Sequence, residues 1–242
     1  DKGKLADKYK EVLEELGVEY EEGQHTETKI FTADIVVKSP GIPDKLPMIV
    51  GLRERGIEVI SEIEFAGRHT DAKMYCITGS NGKTTTTLLL YHILKEAGYD
   101  VGLAGNVGNS LAAQVADNLH RVYVVELSSF QLDGMFRFRC DTAILTNITP
   151  DHLDRYDYKF ENYARSKFRI LNNMRAEDLF IYGYDCDVVR ECVEQENIVP
   201  EAAGFTYSAD NRLNAYMDGN TVIARWGERT FRIDKKEITI QG

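Results

Sequence analysis

Three things are scarce in this sequence, and each scarcity closes off a class of function. Positive charge is short: 29 Lys and Arg stand against 39 Asp and Glu, a formal net charge of −10. A field of that sign opposes nucleic acid and anionic membranes, so any phosphate ligand has to be held by a local site. Long apolar runs are missing, since a bilayer span needs about 20 consecutive apolar residues and none is present. No signal peptide is visible either. Cysteine pairing is the third: Cys76, Cys140, Cys186 and Cys192 form no CxxC unit, which argues against a structural zinc site. The expectation is a cytoplasmic protein with reduced, mostly buried thiols, no nucleic-acid partner and no membrane partner.

What is present suits an ordinary globular chain. Of the 242 residues, 43% are hydrophobic and 28% charged, enough for one large or two smaller domains. No repeat or low-complexity segment interrupts them. The spacing predicts an amphipathic helix over 5–16 with Gly17 past its end, a strand at 35–37, a turn at Ser39 to Pro43, a helix over 46–55 and a strand at 58–60. From Lys73 apolar strands are expected at 74–78, 101–103, 122–127, 142–147 and 179–182, with helices over 83–97, 107–119 and 160–171. Alternation of this kind predicts an α/β layout with a mostly parallel, buried sheet. After about Gly204, Asp218-Gly219 and Trp226-Gly227-Glu228 read as turns in a C-terminal β meander.

The most informative stretch also lacks something. In "YCITGSNGKTTTT", Tyr75 to Thr87, Gly82-Lys83-Thr84 ends like a phosphate-binding loop, but the common form G-x-x-x-x-G-K-[ST] needs a glycine where Ile77 stands. The nearest upstream glycine is Gly79. The context is still strand, glycine loop, Lys-Thr, helix. Gly79 and Gly82 let the backbone N–H groups of Ser80, Asn81 and their neighbours turn toward an anion. The helix N-terminus adds positive field. Lys83 is expected to reach the terminal phosphates of ATP and Thr84 to bind Mg²⁺, with Thr85 completing the loop. A chance Gly-Lys-Thr at an ordinary turn is the competing reading. Four threonines in a row make a poor start to a plain helix, which weighs against it.

Three further strand ends carry polar residues at the edge where ligands bind in open parallel sheets. They are Glu126 with Ser128 and Ser129, "AGNVG" at 104–108, and "TPDHLDRY" at 149–156. Asp151, His152 and Asp154 would as readily cap a helix as hold a cation. Beside a proposed Mg²⁺-nucleotide, Glu126, His152 and Thr84 form one plausible unit for phosphoryl transfer.

These residues together resemble the Mur ligases of peptidoglycan synthesis and their folylpolyglutamate synthase relatives. Thr78 to Thr84 matches their short loop T-G-[ST]-x-G-K-[ST]. "ELSSFQL" (126–132), "TNITPDHLDRY" (146–156) and "GLAGNVG" (102–108) are similar to the D-glutamate-adding branch. The resemblance implies a partial Rossmann-like, UDP-binding domain over 1–61 and a P-loop-type ATPase domain over 62–242, with the amino-acid-binding domain absent. It implies ATP, two Mg²⁺ ions, and the substrates UDP-N-acetylmuramoyl-L-alanine and D-glutamate, joined by way of an acyl phosphate. By the same resemblance Lys83 contacts ATP, Thr84 and Glu126 hold one Mg²⁺, and His152 holds a second. Lys167 resembles the family lysine that CO₂ carbamylates, and Asn106, Ser128 and Gln131 meet the muramoyl substrate. Ser39 and Gly41 lie in the turn that meets the uridine diphosphate.

Read without the family, Lys167 is an exposed helix lysine. The chain departs from the family in lacking the N-terminal strand and glycine turn that grip uridine, and the adenine-contacting segment beyond Gly242. These 242 residues alone are therefore not expected to complete the reaction. A monomer is expected. A sibling ligase or folylpolyglutamate synthase, a P-loop kinase, and a non-catalytic nucleotide-sugar-binding module are the alternatives.

Overall fold

The computed structural model describes residues 3–195 and 198–238, so the terminal Thr-Ile-Gln-Gly of the expected meander lies outside the described residues. The chain divides into two compact units, Asp1–Ile60 and Ser61–Gly242. The first holds α1 (Asp7–Glu15), α2 (Glu27–Ile30), β1 (Ile35–Val37), α3 (Pro47–Glu54) and β2 (Glu58–Ile60). Gly17 follows α1 at φ 64°, the left-handed geometry that ends a helix. β1 and β2 pair in parallel, and Ile49, Leu52 and Val59 form the unit's small core. The turn between β1 and α3 is closed by Ile42 N–H donating to Ser39 O at 3.0 Å, and by the buried Lys38 ammonium donating to Ile42 O at 2.7 Å.

The second unit runs α4 (Glu62–Gly67), β3 (Lys73–Thr78), α5 (Lys83–Glu96), β4 (Val101–Gly105), α6 (Leu111–Ala116), β5 (Val122–Glu126), α7 (Ser129–Leu132) and β6 (Thr142–Leu145). It continues through α8 (Phe160–Phe168), β7 (Leu179–Gly183), α9 (Asp187–Gln195), β8 (Glu201–Phe205), β9 (Ala215–Asp218), β10 (Thr221–Trp226) and β11 (Arg229–Asp234). Among the described residues these strands make one nine-stranded sheet in the order β4-β5-β3-β6-β7-β8-β9-β10-β11. From β4 to β9 all pairings are parallel, and β9, β10 and β11 form an antiparallel meander. The turns fall at Gly219 and Gly227, both at positive φ.

The continuous apolar runs have a simple cause: the central strands are buried on both faces. Along β3, Met74 and Cys76 enter the large core with Tyr123, Val125, Ala143 and Leu145. Ile77 points the other way, onto Val101, Val124 and the α5 residues Leu90 and Leu94. β3 lies where the winding direction reverses, so the crevice at its carboxyl end is the natural ligand position of such a sheet.

Several elements depart from the sequence reading. The helix expected over 107–119 is only Leu111–Ala116, because Gly105, the last residue of β4, and Gly108, at φ 98° and 86°, keep Asn106 to Ser110 in a loop. Ser110 then caps α6, accepting from Ala113 N–H. The strand expected to reach Asn147 stops at Leu145, since the next residues turn to bond another loop. α2, α4, α7, α9 and β8 were not expected. Cys76 and Cys140 are buried, whereas Cys186 and Cys192 are only half-buried.

α4 is anchored by an unusual acceptor. Glu64 is fully buried, and its carboxylate accepts from the N–H groups of Phe136, Arg137 and Phe138 at 2.9–3.1 Å and from Arg68 Nε at 2.9 Å. Glu64→Gln turns an amide donor toward those N–H groups, leaving buried donors facing a donor. A loss of roughly 2–4 kcal/mol is expected, measured by urea unfolding of the full-length protein.

Candidate functional site

The short loop works because Gly79 stands where no side chain fits. Its φ is 149°, and a Cβ there would lie 1.9 Å from Thr146 Oγ1 and 3.2 Å from Asn147 O. Gly82, at φ 82°, then turns the chain into α5. Within the threonine run Thr86 Oγ1 donates to Gly82 O at 2.9 Å, whereas Thr87 is buried with its hydroxyl unpartnered. Thr84 and Thr85 are exposed beside the loop. Lys83 Nζ folds back over the loop and donates to Gly79 O and Ser80 O, both at 2.9 Å. Asn81 is exposed, and Ser80 Oγ donates to Thr149 O at 2.9 Å.

Lys167 is where the expectation from residues alone fails. It is 2% exposed, not a surface lysine. α8 carries it under the loop, where Nζ donates to Gly79 O at 2.8 Å and to Thr78 Oγ1 at 3.3 Å, 5.3 Å from the centre of the Tyr163 ring. Burial, and secondly the charge of Lys83, pull its pKa down to about 7. A large fraction is therefore the neutral amine at physiological pH, the form that reacts with electrophiles such as CO₂.

Glu126 ends β5 and is 1% exposed. Its Oε1 accepts from Asn106 Nδ2 at 2.7 Å, and its backbone carbonyl accepts from Asn106 N–H at 2.9 Å. Oε2 is buried with no hydrogen-bond partner. A buried, half-satisfied carboxylate is costly unless a cation completes it, so this oxygen fits a Mg²⁺ ligand. Ser128 and Gln131 form the capping box of α7, with Ser128 N–H donating to Gln131 Oε1 at 2.9 Å and Gln131 N–H to Ser128 Oγ at 3.3 Å. His152 stands half-exposed in left-handed backbone, φ 47°, its ring 5.3 Å from that of Phe130 and its Nε2 3.4 Å from Asp151 Oδ2. Among the described residues no three His, Cys, Asp or Glu side chains gather as a metal cluster. A cation at Glu126 would therefore draw its other ligands from elsewhere, such as the Thr84 hydroxyl or substrate oxygens. Ser39 and Gly41 lie in the turn of the first unit and are exposed.

A cleft of about 530 Å³ opens beside the loop, walled by Gly82, Asn147, Gly183, Asp185, Phe205 and Tyr207. Its size and mixed walls suit a nucleoside. Sequence reasoning assigned no role to Thr146, Asn147 and Thr149, which bond the loop, or to Tyr163, whose hydroxyl lies 3.0 Å from Ser80 Oγ. The signal for the first three was polar residues directly after a buried strand; Tyr163 gave none beyond its place one turn before Lys167.

The profile of the Mur ligase middle domain matches residues 77–241, and that of the MurD N-terminal domain matches residues 1–46. The chain belongs to the Mur ligase family. Curated relatives named UDP-N-acetylmuramoylalanine–D-glutamate ligase are similar to it, at 51% identity in Bacteroides fragilis and 50% in Christiangramia forsetii. Each alignment spans 100% of this chain and 54% of the relative, so this Mur ligase chain spans about half the length of the curated relatives it matches. A solved structure of similar fold is the UDP-N-acetylmuramate:L-alanyl-gamma-D-glutamyl-meso-diaminopimelate ligase from Neisseria meningitides, with TM-score 0.62 at 17% identity, covering 96% of this chain and 77% of that one. Mur ligases generally use ATP and Mg²⁺. No helix among the described residues is long and apolar enough to cross a membrane.

The depressed Lys167 pKa carries a sign that can be measured. The folded state holds this proton less tightly than the unfolded chain, whose lysine titrates near 10.5. Between about pH 7 and that value the unfolded chain carries more protons, so Lys167 makes the fold more stable as pH rises. Relative to Lys167→Met, the full-length protein is expected to gain up to a few kcal/mol across this window, at about 1.4 kcal/mol per unit of displacement. Urea unfolding in CO₂-free buffer at several pH values checks it; a difference independent of pH would show an ordinary exposed lysine.

Proposed function

We propose that this chain is the nucleotide-handling part of a cytoplasmic, monomeric ligase that joins D-glutamate to UDP-N-acetylmuramoyl-L-alanine in peptidoglycan precursor synthesis. The observation that carries the reading is the meeting of Lys83 and the buried Lys167 on one carbonyl, that of Gly79, with the orphan oxygen of Glu126 within electrostatic range of Lys167. The names of the relatives at about 50% identity support the choice of amino acid. A nucleotide-sugar-binding module would have no use for a buried orphan carboxylate within electrostatic range of a buried lysine.

In this reading the phosphate loop, Gly79 to Thr85, receives the ATP phosphates, and the cleft flanked by Phe205 and Tyr207 receives the nucleoside. Lys83 leaves its own carbonyls for the terminal phosphates. The acceptor carboxylate attacks the γ-phosphorus and ADP leaves; the amine of D-glutamate then displaces phosphate from the acyl phosphate and loses a proton. Thr84 and Glu126 hold one Mg²⁺, and His152 with carbamylated Lys167 a second. When bound, these ions screen the charge that develops on the transferring phosphoryl group. Carbamylation turns a cation that would repel them into an anionic oxygen ligand. Asn106, Ser128 and Gln131 line the acceptor path beside Glu126, and Ser39 and Gly41 serve the uridine diphosphate in the first unit, residues 1–61. Residues 62–242 form the ATPase domain, and D-glutamate is selected by a part of the protein outside these residues.

The deciding measurement is ATP-dependent incorporation of D-[¹⁴C]glutamate into UDP-N-acetylmuramoyl-L-alanine by the full-length protein, with other amino acids and folate acceptors as controls. Product with another pair and none with this one would overturn the reading. Lys83→Ala should remove turnover while leaving the protein folded, since one charge-stabilising group in a dry site is worth about 3 kcal/mol or more. Lys167→Ala should lose most activity and regain part of it with millimolar acetate. Lys167→Arg should stay inactive, because guanidinium cannot become an anion and at ~4 Å repels a unit positive charge by roughly 4 kcal/mol even at an effective dielectric of 20. Full activity of Lys167→Arg would refute the carbamate.

A further inference from the structure

The phosphate loop does not hold its own shape. β6 ends at Leu145, and the next residues run alongside the loop and bond it. Asn147 does so in an unusual way, because its side-chain amide pairs with a backbone. Asn81 N–H donates to Asn147 Oδ1 at 3.0 Å, and Asn147 Nδ2 donates to Asn81 O at 3.0 Å. The Asn147 carbonyl accepts from Ser80 N–H at 2.9 Å, and Thr146 Oγ1 donates to Asn81 O at 2.7 Å. The carboxamide thus pairs with the backbone of Asn81 as a neighbouring strand would. Asn147 also walls the cleft beside the loop.

We propose that Asn147 is a positioning residue for the nucleotide: its carboxamide fixes the two peptides flanking Asn81 so that the donors following Gly82 face the phosphates. The inference rests on the ATP-loop reading given above. Two consequences follow from the geometry. The Asn81 N–H is already used, so the anion is received by later N–H groups and by Lys83. The loop is also set before any anion arrives, because its bonds are made to the residues that follow β6 and not to a ligand; ordering cost is thereby removed from nucleotide binding. A primary amide offers both an acceptor and a donor, and here it meets the N–H and the C=O of one residue, Asn81. Aspartate keeps the acceptor, loses the donor, and adds a negative charge beside the phosphates.

A positioning role and a merely structural one separate in the kinetics. In the full-length protein, Asn147→Ala is expected to weaken binding of a fluorescent ATP analogue at least tenfold, and Asn147→Asp to weaken it further. KM for the UDP-sugar acceptor should stay within twofold of wild type, and kcat at saturating ATP within threefold. Thermal melting and circular dichroism accompany each variant, and Thr146→Val, which removes one donor to the same carbonyl, should give a smaller loss in the same direction. Unchanged nucleotide affinity in both Asn147 variants overturns the proposal. So does an equal loss of acceptor affinity, which would mean that the whole sheet edge had loosened. A wild-type protein that binds no nucleotide overturns the phosphate-loop reading itself.

Discussion

One carbonyl oxygen, that of Gly79, organises the site. It accepts from Lys83 at 2.9 Å and from Lys167 at 2.8 Å, and so brings two like charges together at the end of β3. Left in water such a pair would separate. Here the loop carbonyls of Gly79 and Ser80 compensate one ammonium, while burial and its neighbour drive the other toward the neutral state. The arrangement requires that Gly79 carry no side chain, since Thr146 fills the space a Cβ would need. The loop, the two lysines and the end of β6 are therefore one construction.

The rest of the second unit serves to hold that construction steady. β3 is buried on both faces and flanked by β5 and β6, which deliver Glu126 on one side and Thr146 to Thr149 on the other. The orphan oxygen of Glu126 is the costliest feature of this edge, a buried carboxylate oxygen with no hydrogen-bond partner. Asn106 accepts the same logic from β4: it holds the other carboxylate oxygen and leaves that one unoccupied. At the opposite end of the strands, Glu64 shows the contrasting case, a buried carboxylate whose oxygens are saturated by three backbone N–H groups and an arginine. The first leaves one oxygen without a partner, the second locks α4 in place.

Much of this was readable from residue order. The parallel sheet announced itself because strands buried on both faces are continuous apolar runs, and the meander because Asp218-Gly219 and Gly227 are turn chemistry that survives any context. The turn from β3 into α5 was readable as strand, glycines and Lys-Thr in sequence. Short helices were not: α4, α7 and α9 are set by what they pack on or cap, and the expected helix over 107–119 lost its first turn to the positive-φ glycines Gly105 and Gly108. What the sequence by itself determined was local: the β3–loop–α5 unit and the alternation of strands and helices, because propensity, periodicity and glycine conformation act over a few residues. Only the tertiary structure decided which distant groups meet. Lys167 lies 88 residues from Gly79, and on its own helix it looks like any exposed lysine; its buried place under the loop comes from α8 packing against the sheet. Asn147 likewise becomes a partner of Asn81 only once β6 is zipped beside β3, since a side-chain amide finds a backbone 66 residues away through strand pairing and not through any pattern in the chain.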